Sequence, residues 1–186
     1  MLEKIIDHSV TISVVGLGYV GLPLAVAFSE AGFNVIGFDV SKDKIETYKT
    51  GVDVTEEVGN TRLSNTSIRF TSSASDLSSA LIHIIAVPTP VLDNNMPDLS
   101  LLESASTIVA KNMVKGSLII YESTVYPGVT EEYCLPVLEK GSGLSAQKDF
   151  KIGYSPERIN PGDHKHRLEN IIKVTSGQDQ ESSEQI

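Results

Sequence analysis

Short runs of β-branched and aliphatic residues alternate along the chain with segments whose apolar residues recur at helical spacing. No other feature constrains the fold as much, because a strand, a crossover helix and a second strand return most readily as a parallel pair. Strands are expected at 10–15, 34–38, 68–70, 81–87, 117–121 and 151–154, with a seventh at 171–174. The run at 81–87 is almost continuously apolar, as in a strand buried on both faces of a parallel sheet. Between strands, Val20, Leu24, Ala27, Phe28 and Ala31 mark one helical stripe closed by Gly32, with Pro23 in its first turn. Ser41 should cap a helix running to Tyr48 and closed by Gly51, whereas 52–67 is polar and weakly patterned. Leu102, Ala105, Val109 and Met113 mark a further helix, and 127–138 another. The expected fold is an α/β, doubly wound parallel sheet with helices on both faces. A single domain over 1–178 accounts for these elements. Residues 179–186 read as the opening of a linking helix whose apolar face never arrives.

With 186 residues, 40% of them apolar, the chain can bury one core. Fifteen basic against 24 acidic residues leave a net charge of −9, the wrong sign for a general nucleic-acid or anionic-membrane binder. An anionic ligand therefore needs local help from backbone dipoles. The lone Cys134 forms no internal disulfide and no four-cysteine zinc cage, and His164 and His166 lack the spacing of a metal pair, so no metal site is expected. No stretch is long enough to span a bilayer, and Glu3, Lys4, Asp7 and His8 stand where a signal peptide would be apolar. The expected location is the cytoplasm.

Gly16, Leu17, Gly18, Tyr19, Val20 and Gly21 follow the first strand and open the first helix, the context in which a G-x-G-x-x-G run binds a dinucleotide. Gly16 permits the tight turn, Gly18 lets backbone approach a diphosphate, and Gly21 allows close packing. Unpaired N–H groups at the helix start supply the dipoles that the net charge calls for. Asp39 lies 18 positions after Gly21, at the end of the second strand. There its carboxylate accepts from an adenosine ribose and repels a 2′-phosphate, favouring NAD over NADP. Lys44 either reaches the same ribose or is solvated. The plainer alternative makes the glycines turn punctuation and Asp39 a helix cap; the same loop also serves flavin and methyl-donor binding.

Ligands of a doubly wound sheet lie beyond the carboxyl ends of its strands. After the fourth strand come Val87, Pro88, Thr89 and Pro90, where the hydroxyl and N–H of Thr89 face a ligand or the segment is only a rigid exit turn. After the fifth come Glu122, Ser123, Thr124, Val125, Tyr126, Pro127 and Gly128, whose hydroxyls either hold a nicotinamide or water or cap the next helix. After the sixth, Glu157 is the candidate for proton transfer, with a surface ion pair to Arg158 as the alternative.

Together, the runs at 16–25, 87–90, 122–128 and 155–163 resemble the UDP-glucose/GDP-mannose dehydrogenase family, in its NAD-binding N-terminal domain. The last two motifs look most like the branch that oxidises UDP-N-acetylhexosamines, glucosamine or galactosamine, for surface polysaccharides. The resemblance implies a Rossmann-like fold and oxidation of a C6 alcohol to a carboxylate in two NAD-dependent steps, through a thioester on a cysteine. It implies NAD contacts from residues 16–21, Asp39, Lys44, Val87, Pro88, Thr89, Ser123 and Thr124. Thr124 would also position a water or proton relay, Glu157 would act as acid or base, and Glu157, Arg158, Ile159, Asn160 and Pro161 would touch the substrate. Two departures stand out. UDP-glucose-specific members carry a second Glu where Pro161 stands, and Cys134 sits on an expected helix rather than in the family's glycine-rich cysteine loop. Cys134 thus reads as a small buried residue, with the nucleophile and most of the sugar pocket expected beyond Ile186, where a longer protein would form a homo-oligomer. A dinucleotide-sensing module without catalysis is the rival reading.

Overall fold

The computed structural model describes residues 1–157 and 172–186. Its strands are β1 (Thr11–Val15), β2 (Asn34–Phe38), β3 (Arg69–Thr71), β4 (Ile82–Ile85), β5 (Leu118–Tyr121), β6 (Lys151–Tyr154) and β7 (Ser176–Gly177). They form one sheet in the order β3-β2-β1-β4-β5-β6-β7. The first six are parallel and β7 closes the edge antiparallel to β6. The strand order reverses between β1 and β4, and the register aligns Val15 with Phe38 and Ile85, Ile85 with Tyr121, and Tyr121 with Tyr154. Every loop that leaves a carboxyl end therefore opens on one edge of the sheet, which is where such folds bind ligands.

Side chains alternate between two buried layers, as the pleat requires. Ile12, Val14, Val35, Ile82, Ile84, Leu118 and Ile120 face the layer that holds α2 (Gly21–Glu30) and α3 (Lys42–Lys49). Val15, Ile36, Phe38, Ile85, Ile119, Tyr121 and Ile152 face the layer of α5 (Ser100–Asn112) and α6 (Leu135–Ser142). The α5 stripe of Leu102, Ala105, Val109 and Met113 is buried as its spacing demands. In α2 the expected stripe is too narrow. Leu22, Ala25 and Val26 are also buried, whereas Ala31 is exposed, because the helix begins apolar on every side.

Other differences from the sequence reading have local causes. Two short helices, α1 (Leu2–Ile6) and α4 (Asn60–Ser64), carry too few apolar residues for a period to show. The stretch before α4 is ordered by polar bonds: the Asp53 carboxylate accepts from the N–H groups of Thr55, Val58 and Gly59. After β5 the helical run starts later than expected, behind a left-handed Gly128, with a π-helical turn at Val129–Cys134 leading into α6. Pro136 lacks the N–H that a regular helix would use, and the widened turn just before it accommodates that loss. Neither Ser123 nor Thr124 caps this helix.

The expected strand at 171–174 is not formed over its described part. Ile172 and Val174 are exposed, and pairing with β6 begins only at Ser176. The last helix, α7 (Gln180–Gln185), does acquire an apolar contact: Asp179 and Ser182 form a capping box, and Ile186 packs against the core beside Gly153. Among the described residues no helix is long and apolar enough to cross a membrane.

The turn between β1 and α2 is determined by space. Gly16 has φ +93°, and a Cβ there would lie 2.9 Å from Val87 Cγ1 and 3.0 Å from the Ala86 carbonyl oxygen. A Cβ on Gly21 would lie 1.8 Å from the Gly16 carbonyl oxygen, whereas one on Gly18 would meet nothing within 4 Å. Gly21→Ala should therefore destabilise the fold by several kcal/mol, on the order of other overpacked sites (~3 kcal/mol). Gly18→Ala should cost under about 1 kcal/mol, the scale of surface substitutions. Urea midpoints of the two variants test the contrast, and equal losses would contradict this account of the turn.

His83 is fully buried in β4, where its Nδ1 lies 2.7 Å from Ser13 Oγ. Burial lowers its pKa to about 4. As pH falls below the ordinary histidine value the unfolded chain takes up a proton that the folded chain refuses, so stability declines until the folded value is passed. The full loss is about 3 kcal/mol. Asp39 and Asp53, whose carboxyls are held low, add losses only at still lower pH. The urea midpoint should fall between about pH 6.5 and 4, and His83→Leu should flatten that slope.

Candidate functional site

A cleft of about 870 Å³ lies over the carboxyl ends of β1, β2, β4 and β5 and reaches the segment after β6. It gathers residues from five separate loops. Of the residues expected to act together, Gly16, Gly18, Tyr19, Val20, Asp39, Lys44, Val87, Pro88, Thr89, Ser123, Thr124 and Glu157 line it. Leu17 and Gly21 do not line it. Arg158, Ile159, Asn160 and Pro161, and with them His164 and His166, lie outside the described residues.

Leu17 serves the loop from within. Its side chain is buried, its N–H donates to Asp39 Oδ2 at 3.0 Å, and its carbonyl accepts from the Tyr48 hydroxyl at 2.8 Å. The loop is clamped on both sides before any ligand arrives. Gly16 adds a third tie by donating its N–H to the Phe38 carbonyl at 2.9 Å.

Asp39 is only 7% exposed. Oδ1 accepts from Ser41 N–H at 3.0 Å, and Oδ2 accepts from Leu17 N–H and from the Lys44 ammonium, each at 3.0 Å. Burial alone would raise this carboxyl. The Ser41 and Leu17 amides and the Lys44 charge outweigh it, so the pKa is held below the usual carboxylate range. A carboxylate offers about four acceptor positions, and three are taken here. One acceptor position remains among the described contacts, and a second opens only if Lys44 swings away. Asp39 braces the α3 entry through the Ser41 amide, whereas the helix cap itself is Ser41, whose Oγ accepts from Lys44 N–H. Lys44 is not simply solvated.

The two loops beyond Asp39 are stitched to each other. Thr89 Oγ1 donates to the Thr124 carbonyl at 2.6 Å, and Ser123 Oγ donates to the Val87 carbonyl at 2.6 Å. Of the two readings of Thr89, a hydroxyl facing a ligand or a rigid exit turn, the structure shows the hydroxyl donating to the neighbouring loop, as the adjacency of the parallel strands β4 and β5 allows. Ser123 is buried, so it too acts mainly as a brace. Thr124 is exposed in the cleft and Glu157 is half-buried there.

Three further features escaped the sequence reading. Glu122 lines the cleft at 6% exposure and is ion-paired to Lys173. Burial pushes its carboxyl up, the Lys173 ammonium opposes that rise, and the charge of Glu157 adds to it. The sequence signal for Glu122 was its place directly before Ser123; nothing marked Lys173. The third feature is an apolar wall that includes Val91, Pro97, Leu99, Leu101 and Ile108, carried by α5 and by the loop before it.

Cys134 contributes nothing to this cleft. It is 1% exposed, and burial pushes its thiol up to about 11, with Tyr121 and Ser106 pulling the other way. At neutral pH it is a buried thiol without thiolate character.

A model of the UDP-glucose/GDP-mannose dehydrogenase family, NAD binding domain, matches residues 10–186. Protein CapL of Staphylococcus aureus is 56% identical over 167 residues, covering 90% of this chain and 39% of that protein. A UDP-N-acetyl-D-glucosamine 6-dehydrogenase of Pseudomonas aeruginosa is 50% identical over 176 residues, covering 94% and 42%. The solved UDP-D-ManNAc dehydrogenase of Pyrococcus horikoshii superposes with a TM-score of 0.82 at 34% identity, covering 92% of this chain and 42% of that one. The chain thus spans about two fifths of the length of these relatives. The glycine turn, the acid that braces it and the doubly wound sheet are what such a domain requires, and the chain belongs to the UDP-glucose/GDP-mannose dehydrogenase family, spanning its NAD binding domain.

Proposed function

We propose that this chain is the NAD-binding part of a nucleotide-sugar 6-dehydrogenase that oxidises the C6 alcohol of a UDP-N-acetylhexosamine to a uronate, for polysaccharide biosynthesis. The observation that carries the reading is the convergence of the glycine turn, the Asp39–Lys44 pair, Thr124 and Glu157 on one cleft. NAD fits the residues present. The open space at Gly18 is where a diphosphate can approach the backbone, and α2 begins directly behind it with its positive dipole end. Residues Gly16, Gly18, Tyr19 and Val20 would hold the diphosphate, and Asp39 with Lys44 the adenosine ribose. Val87, Pro88, Thr89, Ser123 and Thr124 would line the nicotinamide end. Bound NAD supplies a hydride acceptor. The chain's own work is then to orient the alcohol and move its proton, with Thr124 as the exposed hydroxyl and Glu157 as the carboxylate that takes it.

The acetamido sugar is favoured by Pro161 at the position of the second Glu and by the names of the relatives, two of which are UDP-N-acetyl-D-glucosamine 6-dehydrogenases. Oxidation beyond the aldehyde calls for a nucleophile that Cys134 does not supply, so that step belongs to a glycine-rich cysteine loop in a longer protein. The reading includes a cytoplasmic location, in keeping with a single reduced cysteine, and a homo-oligomer as the assembly of the longer protein.

Calorimetry tests the cofactor assignments. Wild-type protein should bind NAD in preference to NADP. Gly18→Val should fold normally yet lose NAD binding, because the added methyl groups fill the approach. Asp39→Ala should weaken NAD about tenfold or more and relax the preference, since it removes a ribose acceptor and frees the Leu17 amide together. Unchanged affinity in both variants overturns the assignment. This chain alone should show no steady NADH production from UDP-N-acetylglucosamine or UDP-N-acetylgalactosamine, and such production would contradict the division of labour.

A further inference from the structure

Three stretches of chain converge at the ends of β5 and β6. Glu122 follows β5 and donates its N–H to the Ile85 carbonyl, which extends the ladder beyond Tyr121. Ser155 follows β6 and donates its N–H to the Tyr121 carbonyl, which sets Ser155 beside Glu122 and Glu157 two residues further on. Lys173 precedes Ser176, the residue paired with Tyr154, and brings its ammonium onto Glu122 Oε2. The side chains of Glu122 and Lys173 are 7% and 19% exposed. A buried carboxylate is thereby ion-paired in the same cleft as the carboxylate that would do the proton transfer, with burial raising its pKa and the Lys173 ammonium opposing that rise. Neither of these two side chains is among those that would contact the cofactor.

We propose that Glu122 and Lys173 are positioning residues of the cleft, a part-buried ion pair that contributes to the charge which Glu157 faces. This rests on the reading of Glu157 as the acid–base group. Among the described residues, the groups that face Glu122 come from three segments. Lys173 comes from the segment before β7, Glu157 and the Ser155 hydroxyl from the segment after β6, and the Ile85 carbonyl from β4 is already taken by the Glu122 amide. With the pair intact, Glu157 meets a charge of nearly zero from the two side chains together. With Glu122 neutral, it meets an uncompensated ammonium in a site of low dielectric, which favours its ionised form and weakens it as a proton acceptor.

The test is an NMR titration of the side-chain carboxyls in this chain and its variants. In Glu122→Gln the Glu157 midpoint should fall by on the order of one pH unit. In Lys173→Met the Glu122 midpoint should rise by a similar amount. The charge-reversed double variant E122K/K173E should restore the Glu157 midpoint. In the wild type, the Lys173 Nζ resonance should follow the Glu122 titration, a measurement that needs no variant to fold. A Glu157 midpoint unmoved in a natively folded Glu122→Gln, or a Lys173 resonance indifferent to Glu122, overturns the inference. In the longer enzyme, Glu122→Gln should shift the acidic limb of the kcat profile the same way while leaving the KM for NAD unchanged. If the midpoints move as stated but the longer enzyme oxidises no UDP-sugar, the proposed function fails and the charge pair stands.

Discussion

The bond from the Leu17 amide to the Asp39 carboxylate is the contact on which the site depends. It joins the turn after β1 to the end of β2, two strands that are neighbours in the sheet. Through Asp39 it also reaches Ser41 and Lys44, and through the Leu17 carbonyl it reaches Tyr48, so turn and α3 move as one body. A loop held this way carries its amides in place before the cofactor arrives, and the entropy of ordering it is met by folding rather than by binding. Asp39 therefore braces the fold with the same two oxygens that, on the proposed reading, would meet the adenosine ribose.

The side of the cleft beyond β4 and β5 is built by a different device. Val87 and Thr124 offer carbonyls, Ser123 and Thr89 offer hydroxyls, and the two resulting bonds sew the loops after β4 and β5 together. Parallel strands give no hairpin connection between such loops, so side chains must supply the link. The prolines at 88 and 90 restrict the backbone between these bonds. What faces the cleft from here is then mostly apolar wall, with Thr124, Glu157 and Glu122, backed by its ion pair to Lys173, as its polar end.

Much of the site was legible because its chemistry is local. The glycine turn needs residues that tolerate φ above zero or an absent Cβ, and Gly16 and Gly21 declare that need in the chain itself. Asp39 stood at the expected interval, and Ser41 announced the α3 cap. Features that arise between distant segments left no such mark. Lys173 meets Glu122 across 51 positions, and Thr89 meets Thr124 across 35. The exposed Ile172 and Val174 misled for the opposite reason, since their β-branched character suits a strand that the sheet edge does not pair until Ser176.

By itself, the amino-acid order determined the alternation of strand and helix, the buried parallel sheet, and the turn with its following acid. These follow from periodicity and from steric limits that act within a few residues. Only the tertiary structure decided which hydroxyls are spent as braces, that Leu17 faces inward, and that a second, buried carboxylate is ion-paired in the cleft that holds Glu157. Those outcomes depend on which strands become neighbours and on how far each side chain is withdrawn from water, and neither quantity exists until the chain has folded.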